Sequence, residues 1–245
     1  MKTRFGILVQ GELQRLHKYN FTSISVFVAF IWGVVLYFLD SDMLSTFLPL
    51  ILMLDATMMA VMYVGAVMYF EKNESTISTL LVTPITNSEL ILSKVVSYTL
   101  HNLLSAVLLI IVFVLIRYVQ MNYILILVGI VLTTGFFTTA GVVLSYFQKD
   151  FTTMLVQIMM LAFALFIPQI LVEFNVLKGD FWEIIMYINP IQVASNLIGY
   201  AFDGNMIDNF DYFYSLGYII LGGVLLYRFL ALPKFQEYAV KQSGV

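Results

Sequence analysis

The sequence predicts an all-α polytopic membrane protein with six transmembrane helices, and two observations lead to this prediction. First, 61% of the 245 residues are hydrophobic and only 11% are charged, which is outside the range of soluble domains. Second, a transmembrane helix needs about 20 apolar residues to cross roughly 30 Å of hydrocarbon, and six stretches come close to that length. The predicted spans are residues 21–39, 47–70, 94–116, 123–147, 152–172 and 212–232. Residues 21–232 are therefore the predicted transmembrane domain.

The first 20 residues predict an amphipathic helix that lies along the cytoplasmic face of the membrane. One helix face carries the apolar side chains Phe5, Leu8, Val9, Leu13 and Leu16. The other face carries the polar side chains Arg4, Gln10, Gln14, His17 and Lys18. Such a helix buries its apolar face at the bilayer surface, while its cations attract anionic lipid.

Residues 71–93, between the second and third spans, are polar and predict a short cytoplasmic helix followed by the start of a longer one. Residues 73–76 supply N-cap side chains, and Ile77, Leu80 and Leu81 then fall on one helix face. Pro84 ends this helix because it lacks an N–H group. Residues 86–89, Thr-Asn-Ser-Glu, form a capping box that opens the next helix. Periodicity alone leaves open an ordinary interfacial loop whose apolar residues touch lipid headgroups.

Residues 173–211, between the fifth and sixth spans, predict an extracellular helical hairpin that dips into the edge of the bilayer. Residues 181–202 are apolar enough for a seventh span, but Asn189 and Pro190 split them into halves that are too short to cross. Six spans place both termini, including the tail 233–245, in the cytoplasm, in agreement with the positive-inside rule. The cytoplasmic side then holds Lys2, Arg4, Arg15, Lys18, Lys72, Lys94, Lys149, Arg228, Lys234 and Lys241. The extracellular side holds only Arg117 and Lys178.

Asp55 lies about 12 Å along the second predicted span by helical rise. A charge near the bilayer centre costs about 2.5–3.5 kcal/mol on insertion scales. Two interpretations remain open. Asp55 either faces the translocation path and meets a cationic substrate, or it is protonated or hydrogen-bonded to a neighbouring helix. Met58, Met59 and Met62 beside it form a flexible surface suited to apolar ligands, or they fill the core.

Motifs for ATP hydrolysis are absent from the sequence. It contains no Gly-x-x-x-x-Gly-Lys-Ser/Thr phosphate-binding loop, so this chain is not expected to hydrolyse ATP. We predict no catalytic residue, no cofactor-binding residue and no metal site. His101, one of two histidines, is interpreted as a helix-packing hydrogen-bond partner beside Asn102 rather than as a proton relay.

Three motifs follow one another in the order seen in type 2 ABC transporter permeases. Residues 70–86, Phe-Glu-Lys-Asn-Glu-Ser-Thr-Ile-Ser-Thr-Leu-Leu-Val-Thr-Pro-Ile-Thr, resemble the segment after the second span of that family, with Ser75 where glycine is commoner. Residues 145–151 resemble its tight inner turn between spans four and five. Residues 188–197 resemble its Asn-Pro-hydrophobic segment before the last span, with Gln192 where threonine is commoner. The resemblance extends over nearly the whole chain.

The resemblance implies that the chain is the membrane-spanning subunit of an exporter in the bacterial plasma membrane. In that family the segment after the second span is a coupling helix that sits in a groove of a separate ATPase subunit. The residues implied in ATPase coupling are Glu71, Glu74, Thr76, Ile77, Leu80, Leu81, Pro84, Lys149 and Asp150. The expected assembly has two permeases, identical or homologous, and two ATPase subunits that bind ATP and Mg. The expected substrate is an amphipathic drug, peptide or lipid-linked molecule.

Two other functions remain open at this stage. A channel or ion-coupled carrier without an ATPase would show several paired intramembrane charges and inverted repeats. Only Asp55 lies deep in a predicted span, and no convincing repeat is visible. Alternatively, a non-transporting membrane protein would recruit a soluble partner. Membrane lipid is an expected partner in every case, and nucleic acid is not.

Overall fold

The computed structural model describes residues 3–39, 41–76, 79, 83–116, 120–202 and 207–243, and the regular structure in this part of the chain is helical. Five-residue π-helical turns at Asp55–Met59 and Tyr227–Ala231 each join two α-helices into one continuous helix. The prediction of an all-α protein is confirmed for the described residues. Their α-helices are α1 (Arg4–Lys18), α2 (Phe21–Tyr37), α3 (Ser41–Leu54), α4 (Ala60–Asn73), α5 (Asn87–Ile116), α6 (Tyr123–Ser145), α7 (Phe151–Glu173), α8 (Asp180–Ile188), α9 (Pro190–Gly199), α10 (Asn209–Leu226) and α11 (Leu232–Ser243).

Helices long and apolar enough to cross a membrane match the predicted stretches. Five of them are Phe47–Asn73, Asn87–Ile116, Tyr123–Ser145, Phe151–Val172 and Asn209–Ala239. A sixth candidate reaches the required length only as a bent pair, α1 with the 17-residue α2, and these two helices meet at an angle of 61°. The bend falls at Asn20, whose φ of 63° lies in the left-handed region and cannot continue a right-handed helix. The described residues thus hold five to six candidate spans, which we number one to six from α2 onwards.

The helix that contains the sixth span continues past the residue where the sequence predicts the span to end. The prediction ends it at residue 232 and leaves residues 233–245 as a tail, whereas the helix runs through the second π-turn and α11 to Ser243. The π-turn immediately precedes Pro233, which has no N–H group to complete a regular helical hydrogen bond. A widened turn therefore lets the helix pass the proline without ending.

Span two forms the centre of the bundle. The most apolar stretch of span two is 72% buried inside the bundle, whereas that of span five is only 6% buried. Span four packs closely against span two at Gly141, where a Cβ atom would lie 3.1 Å from the Val61 Cα atom. We call the end that carries α1, the start of α5 and α11 the inner end, and the opposite end the outer end. Buried apolar side chains near the inner end include Leu16, Tyr63, Tyr98, Met154 and Phe235.

The short helices α8 and α9 meet at Asn189 and Pro190, where the sequence predicts a break. The Asn189 Oδ1 atom accepts a hydrogen bond from the Ile191 N–H at 3.0 Å, and its Nδ2 atom donates to the Leu165 carbonyl at 2.8 Å. Pro190 takes the first position of α9, where its missing N–H group leaves no partner unsatisfied. With 9 and 10 residues, the two helices are each too short to cross a bilayer. Their depth in the membrane stays a prediction.

Candidate functional site

Four charged side chains from three helices meet at the inner end of the bundle. The Lys94 Nζ atom on α5 contacts Glu12 Oε1 on α1 at 2.9 Å and the two carboxylate oxygens of Glu71 on α4 at 2.6 and 2.7 Å. The Arg15 Nη1 atom lies 2.8 Å from Glu12 Oε1 and 2.6 Å from Glu71 Oε1. We call Glu12, Arg15, Glu71 and Lys94 the ion cluster. It ties α1 to spans two and three.

The ion cluster is electrically balanced and almost entirely removed from solvent. Lys94, Glu12 and Glu71 are at most 3% exposed, and Arg15 is half-buried. Two carboxylates face two cations, which is the condition for keeping charges in a low-dielectric interior. Burial raises the pKa of Glu12, while the attraction of Lys94 opposes that rise. Removing any one member therefore leaves a buried charge without its partner.

A second, exposed set of contacts holds the end of span two to the end of α1. Lys18 Nζ lies 3.1 Å from Glu74 Oε1, and the Tyr19 hydroxyl donates a hydrogen bond to Glu74 Oε2 at 2.8 Å. Hydrogen bonds from Tyr19 and then Lys18 lower the pKa of Glu74 below its ordinary value. The carboxylate is thereby kept ionised at the point where the chain leaves span two.

The beginning of α5 is held in a similar way by the other end of α1. Arg4 Nη1 donates a hydrogen bond to the Pro84 carbonyl at 2.8 Å. The predicted capping box is confirmed, because the Thr86 N–H donates to Glu89 Oε2 at 2.9 Å and the Glu89 N–H donates to Thr86 Oγ1 at 3.2 Å. Between these two residues in the chain, Ser88 joins α5 to span six, because its hydroxyl lies 2.5 Å from that of Tyr227.

These contacts fix both ends of the polar segment between spans two and three. We call residues 74–86 the coupling segment. Its two ends are held by Lys18 and Arg4, which are separated by 14 helical positions and thus by about 21 Å along α1. The predicted docking residues Ile77, Leu80 and Leu81 lie outside the described residues. Within the described part, Thr76 is half-buried and Thr79 is exposed.

The turn between spans four and five lies beside the inner end of span two. Lys72 Nζ donates hydrogen bonds to the Gln148 and Lys149 carbonyls at 3.2 and 3.3 Å. Asp150 caps α7 by accepting a hydrogen bond from the Thr153 N–H at 2.7 Å, and this bond lowers the pKa of Asp150. The side chains of Lys149 and Asp150 are exposed. Consecutive residues of span two, Glu71 and Lys72, thus contact opposite neighbours.

Asp55 lies inside the bundle and faces span three. The Ser105 hydroxyl donates a hydrogen bond to Asp55 Oδ1 at 3.3 Å, and Asn102 Nδ2 donates to the Asp55 carbonyl at 3.4 Å. The side chain is 5% exposed and begins the first π-turn, a feature often found at functional sites. Met58, Met59 and Met62 are half-buried. A role of these four residues in the translocation path stays a prediction.

The residues that the sequence predicts to couple to the ATPase therefore differ in their exposure to solvent. Glu71 is completely buried in the ion cluster, whereas Glu74, Lys149 and Asp150 are exposed. Sequence reasoning missed Glu12, Arg15 and Lys94 as members of a site. One signal was available: oppositely charged residues at the facing ends of two consecutive spans, Glu71 and Lys94, are brought together when the spans form an antiparallel hairpin.

The sequence matches the model of a known protein family over nearly its whole length. Residues 3–243 match the family described as the fluoroquinolones export permease protein family. The match begins before α1 and ends at the last residue of α11, so the ion cluster, the coupling segment and Asp55 all fall inside it. No curated protein matches the chain.

Proposed function

The chain belongs to the fluoroquinolones export permease protein family, and from this premise we propose that it works with a separate ATPase that docks on the coupling segment. Family membership makes the chain a permease of an ABC exporter. We infer that the exported substrate is an amphipathic drug of the fluoroquinolone type, in accordance with the family's description. The ATPase would bind ATP and Mg, since this sequence has no phosphate-binding loop.

The observation that carries this proposal is the anchoring of the coupling segment at both ends. Lys18 contacts Glu74 at one end of the segment and Arg4 contacts the Pro84 carbonyl at the other, so we infer that a push by the ATPase on the segment is passed on to α1. The displacement would reach α1 through these contacts and span one through the bend at Asn20. It would reach spans two and three through Glu71 and Lys94. Closure of the ATPase subunits would thereby move three spans together.

Replacement of Leu80 and Leu81 by aspartate tests the docking surface. A docked leucine face excludes water, and two carboxylates there cost more than about 1.4 kcal/mol, so the ATPase affinity is expected to fall more than about tenfold. The measurement is co-purification of the ATPase with the affinity-tagged permease. The control changes exposed Asn73 and Thr79 to aspartate, which adds the same charge to this region without removing a leucine. Full retention of the ATPase by the leucine variant would contradict the proposal, as would equal loss in the control.

The proposed assembly contains two permeases and two ATPase subunits in the bacterial plasma membrane, with the inner end in the cytoplasm. The excess of lysine and arginine in the inner loops supports this orientation. Spans one and five leave many apolar side chains exposed, among them Phe27, Phe30, Met160 and Phe163. These faces are available to a second permease and to lipid.

Replacement of Asp55 by asparagine tests the path interpretation of this residue. If Asp55 meets the basic amine of a drug, the variant is expected to lose ATP-dependent uptake of cationic drugs into inverted vesicles while the complex still assembles. Ser105→Ala is the matched control, because it removes the hydrogen bond to the carboxyl but keeps the carboxyl itself. Unchanged uptake by the asparagine variant would remove Asp55 from the path and leave it a helix-packing residue.

A further inference from the structure

Buried polar side chains follow one face of α5 from the ion cluster towards the middle of the bundle. Ser93 and Ser97 are buried on the same half of α5, but each donates a hydrogen bond to a backbone carbonyl, of Leu90 and of Val9 respectively. From Lys94 to Ser105 the helix rises over 11 residues, or about 16 Å. Asp55 lies beside Ser105, at the end of the series that is farther from the ion cluster. The members of the series are Lys94, Tyr98, His101, Asn102 and Ser105, each at most 5% exposed.

Several atoms along this series have no hydrogen-bond partner among the described residues. They include the Tyr98 hydroxyl, Asn102 Oδ1 and Asp55 Oδ2, and at the inner end Glu12 Oε2. An unpaired buried polar atom is costly, and native interiors usually satisfy such atoms with ordered water. The unpaired atoms begin at the ion cluster and end at Asp55. Other unpartnered atoms lie on Thr99, Gln157 and Gln169, but those of the series lie at successive levels between the ion cluster and Asp55.

Span four supplies a second polar wall at the level of Asp55. The hydroxyls of Thr134 and Thr138 are buried and also lack partners among the described residues. Spans two and four run in the same direction, and Gly141 contacts Val61. Counting back along both helices therefore places Thr134 and Thr138 at the level of the first π-turn, which packs against α6.

We propose that spans two, three and four enclose a file of bound water that lets the Asp55 carboxyl exchange its proton with the cytoplasm. In each exchange the carboxyl O–H bond breaks, its proton passes to the adjacent water, and a proton leaves at the ion cluster. The return of a proton restores the carboxyl. The titratable groups on elements packed against Asp55 include Tyr63 of α4 and His101 of α5, whose ring packs edge-on against Tyr63. This proposal does not depend on the docking of an ATPase on the coupling segment.

The file opens towards the inner end only. Beyond Ser105, the buried face of α5 is formed by Leu109, Ile110 and Phe113, which offer no hydrogen bond to water. Apolar cavities of this kind stay dry. Protons from the outer side therefore meet an apolar barrier, whereas protons from the inner side meet polar groups up to Asp55.

Infrared spectroscopy of the full chain in lipid nanodiscs tests the file. The difference between the spectra of the wild type and Asp55→Asn identifies the carbonyl stretch of the protonated Asp55 carboxyl. After transfer from H₂O to D₂O, we expect this band to shift at once in the wild type. Asn102→Leu places an apolar side chain in the file and is expected to slow the shift about tenfold or more. Tyr98→Phe keeps the ring, removes only the hydroxyl, and is expected to slow it in the same direction.

Ser105→Ala distinguishes the effect of losing a hydrogen bond to the Asp55 carboxyl from the effect of blocking the passage of protons to it. Ser105 donates a hydrogen bond to the carboxyl but is the outermost member of the series, so the variant is expected to change the band frequency and leave the exchange rate within about twofold. Three results would overturn the proposal: no protonated carboxyl band assigned to Asp55, a wild-type band that does not exchange, or exchange that is slowed by Ser105→Ala and not by Asn102→Leu or Tyr98→Phe.

Discussion

Replacing Lys94 with methionine is expected to lower the free energy of unfolding by about 3–5 kcal/mol, the cost of removing one partner from a buried ion pair. The methionine fills much of the space of the lysine stem, so packing changes little. Glu12 and Glu71 are then left with Arg15 as their shared cation, and Lys94 no longer neutralises the second carboxylate. The measurement is denaturant or thermal unfolding of the purified permease in detergent micelles, followed by circular dichroism.

Two further variants show whether burial of the charges is the reason. Lys18→Met breaks the ion pair between Lys18 and Glu74, whose side chains are 63% and 44% exposed. Because this pair is solvated, the variant is expected to lower the free energy of unfolding by only a small fraction of the Lys94→Met effect. Combining Lys94→Met with Glu71→Met leaves Glu12 paired with Arg15, so most of the lost stability should return. Equal losses for the two lysine variants, or no recovery in the double variant, would show that the ion cluster is not a unit.

The helices could be predicted from the sequence because membranes impose a simple requirement. A run of about 20 apolar residues must form a helix in lipid, whatever its neighbours are. Local chemistry was equally informative where it acts within a few residues. Thr86 and Glu89 form the predicted capping box, and Asn189 caps α9 in front of Pro190. In each case the partners lie close together in the chain, and no tertiary contact is needed to bring them together.

The ion cluster could not be predicted in the same way because its partners are distant in the chain. Glu12 lies 82 residues from Lys94, and Glu71 lies 56 residues from Arg15. A charged residue near the end of a span is normally solvated or attached to lipid headgroups, and that expectation held for Lys18 but not for Lys94. Which of the two applies depends on how α1 lies across spans two and three. The periodicity of α1 does not contain that information.

The site around Asp55 was only partly predictable for a similar reason. Its depth in span two follows from counting residues, and so does the cost of placing a charge there. Its hydrogen bond to Ser105 depends on the register of span three. The π-turn that starts at Asp55 was not predicted, because such turns are single-turn insertions with no periodic signal. The sequence therefore indicated that Asp55 is unusual and left its surroundings open.

Gly141→Ala is expected to destabilise the permease by about 1–3 kcal/mol, the usual cost of overpacking a well-filled core. The new Cβ atom would meet the Val64 side chain at less than contact distance and would lie 3.1 Å from the Val61 Cα atom. A backbone atom of the central helix cannot move aside as a flexible side chain can. Spans two and four must separate, and the separation acts directly on the turn that carries Asp55. Unfolding in detergent micelles measures the loss.

Gly217→Ala is the matched control for this prediction. Gly217 lies inside α10, and a Cβ atom there meets nothing within 4 Å, so alanine only restricts the unfolded chain. The control is expected to be neutral or to stabilise the protein by about 0.5–1 kcal/mol. The two glycines differ in what surrounds them and not in backbone conformation, since both are helical. Opposite signs for the two substitutions would therefore place the strain at the contact between spans two and four. A Gly141→Ala variant as stable as the wild type would mean that spans two and four are packed less tightly than the distance between Gly141 and Val61 indicates.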